Sequence, residues 1–174
     1  LLQGCRCLEE ICSGYAEIDQ KNTKSDAFAM ADGNSIEMSG SECEKTIHGG
    51  HAFVKSASPA EVSASSNTIT INDTNTSNDK PDLNAWKLHG KIFGGKAQSV
   101  PEGNTVKTTV TAKAKENRLF LRSGHYLEDI YGGYAEIHPK DAQIAAASAM
   151  ADGNSIEISG GTYEKAIYGG YAAA

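Results

Sequence analysis

Nowhere in this 174-residue chain do about 18 apolar residues run together, so the sequence holds no membrane-spanning helix. Hydrophobic residues are 39% of the chain and aromatics 7%, a lean supply for one three-dimensional core of this size. Lys and Arg are scattered and the net charge is -6, which makes nucleic acid a poor partner. Cysteine is missing from the last three quarters: Cys5, Cys7, Cys12 and Cys43 all stand in the first. There is no Gly-rich phosphate loop ending in Lys-Ser or Lys-Thr, and no nucleophile elbow. The opening Leu1-Leu2-Gln3-Gly4-Cys5-Arg6 lacks the basic start and apolar stretch of a signal peptide. Because the chain opens inside a repeat and stops just past one, it reads as a piece of a longer or processed protein.

What is present is repetition. The hexad Ile167-Tyr168-Gly169-Gly170-Tyr171-Ala172 has relatives beginning at Ile11, Ile47, Ile92 and Ile130, and these isoleucines are 36, 45, 38 and 37 residues apart. Self-similarity at that period marks a stacked architecture in which each layer buries a narrow apolar strip against its neighbours. A second element precedes the hexad: Asn34-Ser35-Ile36-Glu37-Met38-Ser39-Gly40, its relative from Asn154 to Gly160, and a looser one from Asn117 to Gly124. Apolar and polar residues alternate in it, the period of a half-buried strand. The leading Asn reads as a turn residue, able to take φ > 0 or bond its own backbone. The stretch Ala29–Glu37 recurs letter for letter as Ala149–Glu157, which points to duplication of a block of the chain.

An isolated Ile-aromatic-Gly-Gly copy buries too little to fold, and Gly adds conformational entropy to be lost. In parallel register, like meets like. The isoleucines form an inner column and the alanines another; Cys12, His48, Phe93, Tyr131 and Tyr168 form an outer column, beside Tyr15, His51, Lys96, Tyr134 and Tyr171. The glycine pair serves a corner or bulge where a β-carbon would collide. The expectation is an all-β parallel β-helix or β-solenoid, one domain over 1–174 of about five repeats with long loops. Repeat cores fall near 1–16, 34–52, 67–97, 104–135 and 154–172. Whether a repeat makes one coil or two stays open. Residues 17–33 read as a polar connector, and Asp141–Gly153, rich in alanine, as a short helix.

Candidate chemistry is thin. Cys7 and Cys43 each stand four residues before a repeat isoleucine, so direct stacking makes them neighbours; the plainer reading is that Cys7, Cys12 and Cys43 are drifted tyrosine positions with free thiols. Cys5-Arg6-Cys7 is too tight for a zinc pair. His48-Gly49-Gly50-His51 has the look of a metal pair, but both positions are tyrosine in the last repeat, so the histidines read as column fillers. The loop Asp73-x-Asn75-x-Ser77-x-Asp79 alternates oxygen ligands like a calcium loop but lacks its glycine and its twelfth acid, and reads as a solvated turn. Asn72 and Asn75 open glycosylation-type triplets. Glu17 and Glu136 recur, as do Glu37 and Glu157, which suits a solvated face better than a unique catalytic pair. No catalytic residue, metal or cofactor is assigned, and the binding residues stay unknown.

The repeat Asn-x-Ile-x-Ile-Ser-Gly-Gly-Thr followed by Ile-Tyr-Gly-Gly-Tyr-Ala, seen best at 154–172, resembles the passenger regions of bacterial autotransporters. The resemblance implies a β-solenoid displayed at the bacterial surface or secreted. It also implies a non-enzymatic role in adhesion or aggregation, with a host surface protein, a glycan or a sister molecule as partner. The exposed tyrosine columns, Tyr131, Tyr134, Tyr168 and Tyr171, are the feature behind that expectation. The alternatives are a β-helical polysaccharide-active enzyme and a purely structural spacer.

Overall fold

Alternation of the kind seen in Ser35–Ser39, with Ile36 and Met38 pointing in and Ser35 and Glu37 out, yields strands, and every pairing among the described residues is parallel. The computed structural model describes residues 1–20, 25–72, 87–102, 108–122, 124–139 and 144–174, and among them there is no helix. The chain winds as a β-solenoid of about four turns, each turn crossing four sheets in the same order. The first sheet holds Leu2–Gln3, Ser35–Ser39, Thr68–Asn72, Arg118–Leu121 and Ser155–Ile158. The second holds the short strands Arg6–Cys7, Glu42–Cys43, Lys87–Leu88, His125–Tyr126 and Thr162–Tyr163.

The third sheet carries the hexads, whose isoleucines and alanines register rung upon rung, Ile11–Ile47–Ile92–Ile130–Ile167 and Ala16–Ala52–Ala97–Ala135–Ala172. Each repeat is therefore one coil. The fourth sheet is made of Ala27–Met30, Ala60–Ser63, Thr108–Lys113 and Ile144–Met150. Two expectations fail here. Part of the stretch read as a polar connector is strand, Tyr15–Gln20 and Ala27–Met30. The alanine-rich stretch read as a helix is strand from Ile144 to Met150, because pairing with Thr108–Lys113 outweighs the helix propensity of alanine.

The interior is divided in two. Ile36, Met38, Ile47, Ile69, Leu88, Ile92, Leu119, Leu121 and Ile130 fill one lobe, between the first three sheets. Small residues, among them Ala52, Val54, Val62, Ala97, Val110, Ala112 and Ala135, fill the other, between the rest of the third sheet and the fourth. Ile92 and Ala97 are both buried although they lie an odd number of positions apart. Strict alternation would put them on opposite faces, so the glycine pair between them is where the strand changes parity and passes from one lobe to the other. No side chain fits there: a Cβ on Gly94 would overlap the Gly132 carbonyl oxygen, and one on Gly95 the Ala64 carbonyl oxygen.

Against these glycines runs a ladder of asparagine amides, of which Asn67 and Asn117 are fully buried. The Oδ1 of Asn67 accepts from the backbone N–H and Nδ2 of Asn34 at 2.9 and 3.1 Å; Asn117 accepts likewise from Asn67 at 3.0 and 3.1 Å, and Asn154 from Asn117 at 2.9 and 2.9 Å. Reading the asparagine as the residue that turns the chain is thus corrected. The residue before it takes the left-handed conformation, Gly33, Ser66, Glu116 or Gly153 with φ of 70°, 56°, 56° and 65°, while the asparagine spends its side chain on the next rung. The calcium-like loop, Asn75 and Trp86 lie outside the described residues.

Candidate functional site

The outward side of the hexads is a continuous stack of rings. His48 lies on Phe93 at 5.2 Å between centroids, Phe93 on Tyr131 at 5.0 Å, and Tyr131 on Tyr168 at 4.9 Å, with planes within 9° of parallel. Parallel in-register strands enforce this, because their spacing of about 4.8 Å is close to that of offset rings. The neighbouring column braces the stack from the side: Tyr134 meets Phe93 and Tyr131 edge-on, at 5.3 Å each. Of the tyrosines expected to be exposed, this packing covers Tyr131 and half-buries Tyr134. Tyr131 is 8% exposed, whereas Tyr168 and Tyr171, on the last rung, are 40% and 39% exposed.

A cleft of about 280 Å³ opens along this stack. Phe93, Tyr131 and Tyr134 give it aromatic walls, Lys91 and Lys96 its positive charge, and Glu10 and Glu136 its negative charge. The Lys91 ammonium is 3.8 Å from Asp129 and sits over the Tyr131 ring. Lys96 lies over the Phe93 ring at 5.4 Å and makes no ion pair among the described residues. Burial holds its ammonium below the usual lysine range, while Glu10 and Glu136 work in the other direction. Glu136 accepts from Gln98 at 3.1 Å and lies 2.7 Å from a His138 ring nitrogen.

At one end of the cleft, repeat register brings three residues together. Cys12 and His48 occupy successive rungs of one column, and His51 stands beside His48, their rings stacked at 4.7 Å. The ligand-type atoms of Cys12, His48 and His51 all lie within 4.8 Å of one another. His48 Nδ1 and both ring nitrogens of His51 are buried without a hydrogen-bond partner. Burial pushes His48 down to about 3 and His51 to about 4, so both imidazoles are neutral at pH 7.

The remaining cysteines sit where the tyrosine register puts them, Cys7 beside Cys43 in the column that continues through Leu88 to Tyr126 and Tyr163. All four thiols are free, and Cys5 Sγ lies 3.7 Å from Cys7 Sγ. The recurrent acids do not assemble into one site: Glu37 and Glu157 project from the first sheet and Glu17 from the third, leaving Glu136 alone in the cleft. Sequence reading placed Lys96 in an outer column but passed over Glu10 and Lys91. The signal was available, since the position before each isoleucine forms a column of its own, Glu10, Thr46, Lys91, Asp129 and Ala166.

These features define a parallel β-solenoid with a charged aromatic cleft on one face. No family model matches the chain, nor does any curated protein or solved structure.

Proposed function

We propose that this chain is a non-enzymatic binding module whose third-sheet cleft holds an acidic sugar of a glycan. The observation that carries the reading is Lys96, a half-buried ammonium with no ion-pair partner among the described residues, set over the Phe93 ring in an aromatic-walled cleft. Aromatic rings suit the apolar faces of sugar rings, and a desolvated ammonium favours a carboxylate. The setting proposed is outside a bacterial cell, in adhesion, on the resemblance of the hexad repeats to autotransporter passengers.

Titration calorimetry with uronic-acid polysaccharides and their neutral counterparts tests it. Binding is expected for the acidic chains only, weakened at least about ten-fold by Lys96→Met and by Tyr134→Ser, in folded variants. Equal affinity for neutral chains, or full affinity in the Lys96 variant, sinks the reading. Shortening of the polysaccharide would favour an enzyme instead, and a lack of any binding would favour a spacer.

A further inference from the structure

We propose that Cys12, His48 and His51 form a zinc site that clips the first coil of the solenoid to the second. The proposal is independent of glycan binding. It starts from donor chemistry, since one thiolate and two neutral imidazoles are a familiar zinc-binding set. The three donor atoms lie within 4.8 Å of one another. Around a tetrahedral zinc, with Zn–S of about 2.3 Å and Zn–N of about 2.0 Å, neighbouring donors stand about 3.3 to 3.6 Å apart. The contraction needed is a side-chain movement: the His51 ring leaves its 16° stack on His48, and the Cys12 thiol, which is exposed, turns inward.

The second observation is the unmet bonding capacity. His48 is 2% exposed and its Nδ1 has no partner, nor has either nitrogen of His51. Buried polar atoms left unpaired are uncommon and call for a ligand, an ion or a water. Glu10 Oε2 stands 4.0 Å from His48 Nε2, on the other side of the ring from Nδ1, so with Nδ1 as the donor the fourth position falls to water. Lys96 acts on all three residues and opposes a metal cation there.

The place makes mechanical sense. Where Phe and Tyr continue the ring stack in later coils, the first supplies a thiol. A Cys–His–His clip replaces the missing ring contact with metal–ligand bonds.

The test is titration of the reduced full chain with Co²⁺, then Zn²⁺. One equivalent of Co²⁺ is expected to give the visible bands of a four-coordinate ion and a sulfur-to-cobalt charge-transfer absorption, both displaced by one equivalent of Zn²⁺. Cys12→Ser removes the charge-transfer absorption. His48→Phe and His51→Tyr, which restore residues that the same columns carry at Phe93 and Tyr134, keep the fold by circular dichroism and weaken binding at least ten-fold. The proposal is overturned if folded wild-type chain gives only a six-coordinate spectrum or none. It is equally overturned if the charge-transfer absorption survives Cys12→Ser and is lost in Cys5→Ser or Cys7→Ser.

Discussion

A β-carbon on Gly95 would stand only 1.8 Å from the carbonyl oxygen of Ala64 and 2.8 Å from the side-chain amide of Asn117. Any β-carbon there meets backbone, which cannot swing away as a side chain can. Gly95→Ala is expected to destabilise the fold by about 3 kcal/mol or more, the upper range of overpacking in a closed core. Gly169→Ala, where nothing lies within 4 Å of the added carbon, should stay within about 0.5 kcal/mol of wild type. Urea unfolding of the two variants checks this. Equal losses would mean that glycine in the hexad serves chain flexibility and not close approach.

Asn117 sits in the middle of the amide ladder, fully buried, donating to Asn154 and accepting from Asn67. Asn117→Ala strands the backbone and side-chain donors of Asn67 without water to replace them, while Asn154 Oδ1 keeps the bond from the backbone N–H of residue 117. The expected loss is about 2 to 4 kcal/mol, since each buried group left unpaired costs about 1 to 3 kcal/mol. Asn34→Ala leaves Asn67 Oδ1 its bond from the backbone N–H of residue 34 and removes only the amide's donations to Asn67 and to the Asp32 carbonyl, and should cost about 1 kcal/mol. A chemical denaturation series gives both numbers, and a larger loss at Asn34 than at Asn117 would contradict the ladder.

Alkali should dismantle the tyrosine columns in a defined order. Burial, helped in Tyr131 by Asp129, raises both Tyr131 and Tyr163 to about 12, and burial raises Tyr126 further. The unfolded chain releases these protons near pH 10, so their contribution is complete below that pH and drains away as pH rises through about 12. Phenolate absorbance in native protein should rise well above the midpoint found in urea, and the Tyr126 signal should appear only with unfolding. A native titration superimposed on the urea curve would refute it.

Thiol chemistry should sort the cysteines by position. Cys12 is exposed, whereas Cys43 is buried, donates to the Lys45 carbonyl at 3.2 Å and has its thiol pushed up by burial. Alkylation of native, metal-free protein followed by mass spectrometry should label Cys12 and leave Cys43 unmodified until denaturant is added. Early labelling of Cys43 would place it outside the core.

How legible the molecule was depended on side-chain size. Ile36 and Met38 announce their strand because large apolar residues alternate with Ser35 and Glu37. The five hexads announce their register by near identity. Two strands of the fourth sheet were illegible for the converse reason: in Ala27-Phe28-Ala29-Met30 the inward residues are the alanines and the exposed ones are Phe28 and Met30. The lobe behind them is narrow, so size there signals the outside. In Ile144–Met150 the run of alanine hides the alternation altogether. The cleft was only half visible. Its tyrosines were singled out, but Glu10, Lys91 and Lys96 matter through neighbours one and two coils away, and only the register places them together.

The amide ladder has one more consequence, for how such a chain changes over generations. Each asparagine offers its neighbours the same pair of bonds that it takes from them, so a whole coil spliced between two others finds a matching partner on either side. The identical nonapeptides Ala29–Glu37 and Ala149–Glu157 are the sort of sequence at which misaligned recombination adds or deletes whole turns. In this architecture the number of turns is an inheritable variable, and the reach of the rod can evolve without any new interface being invented.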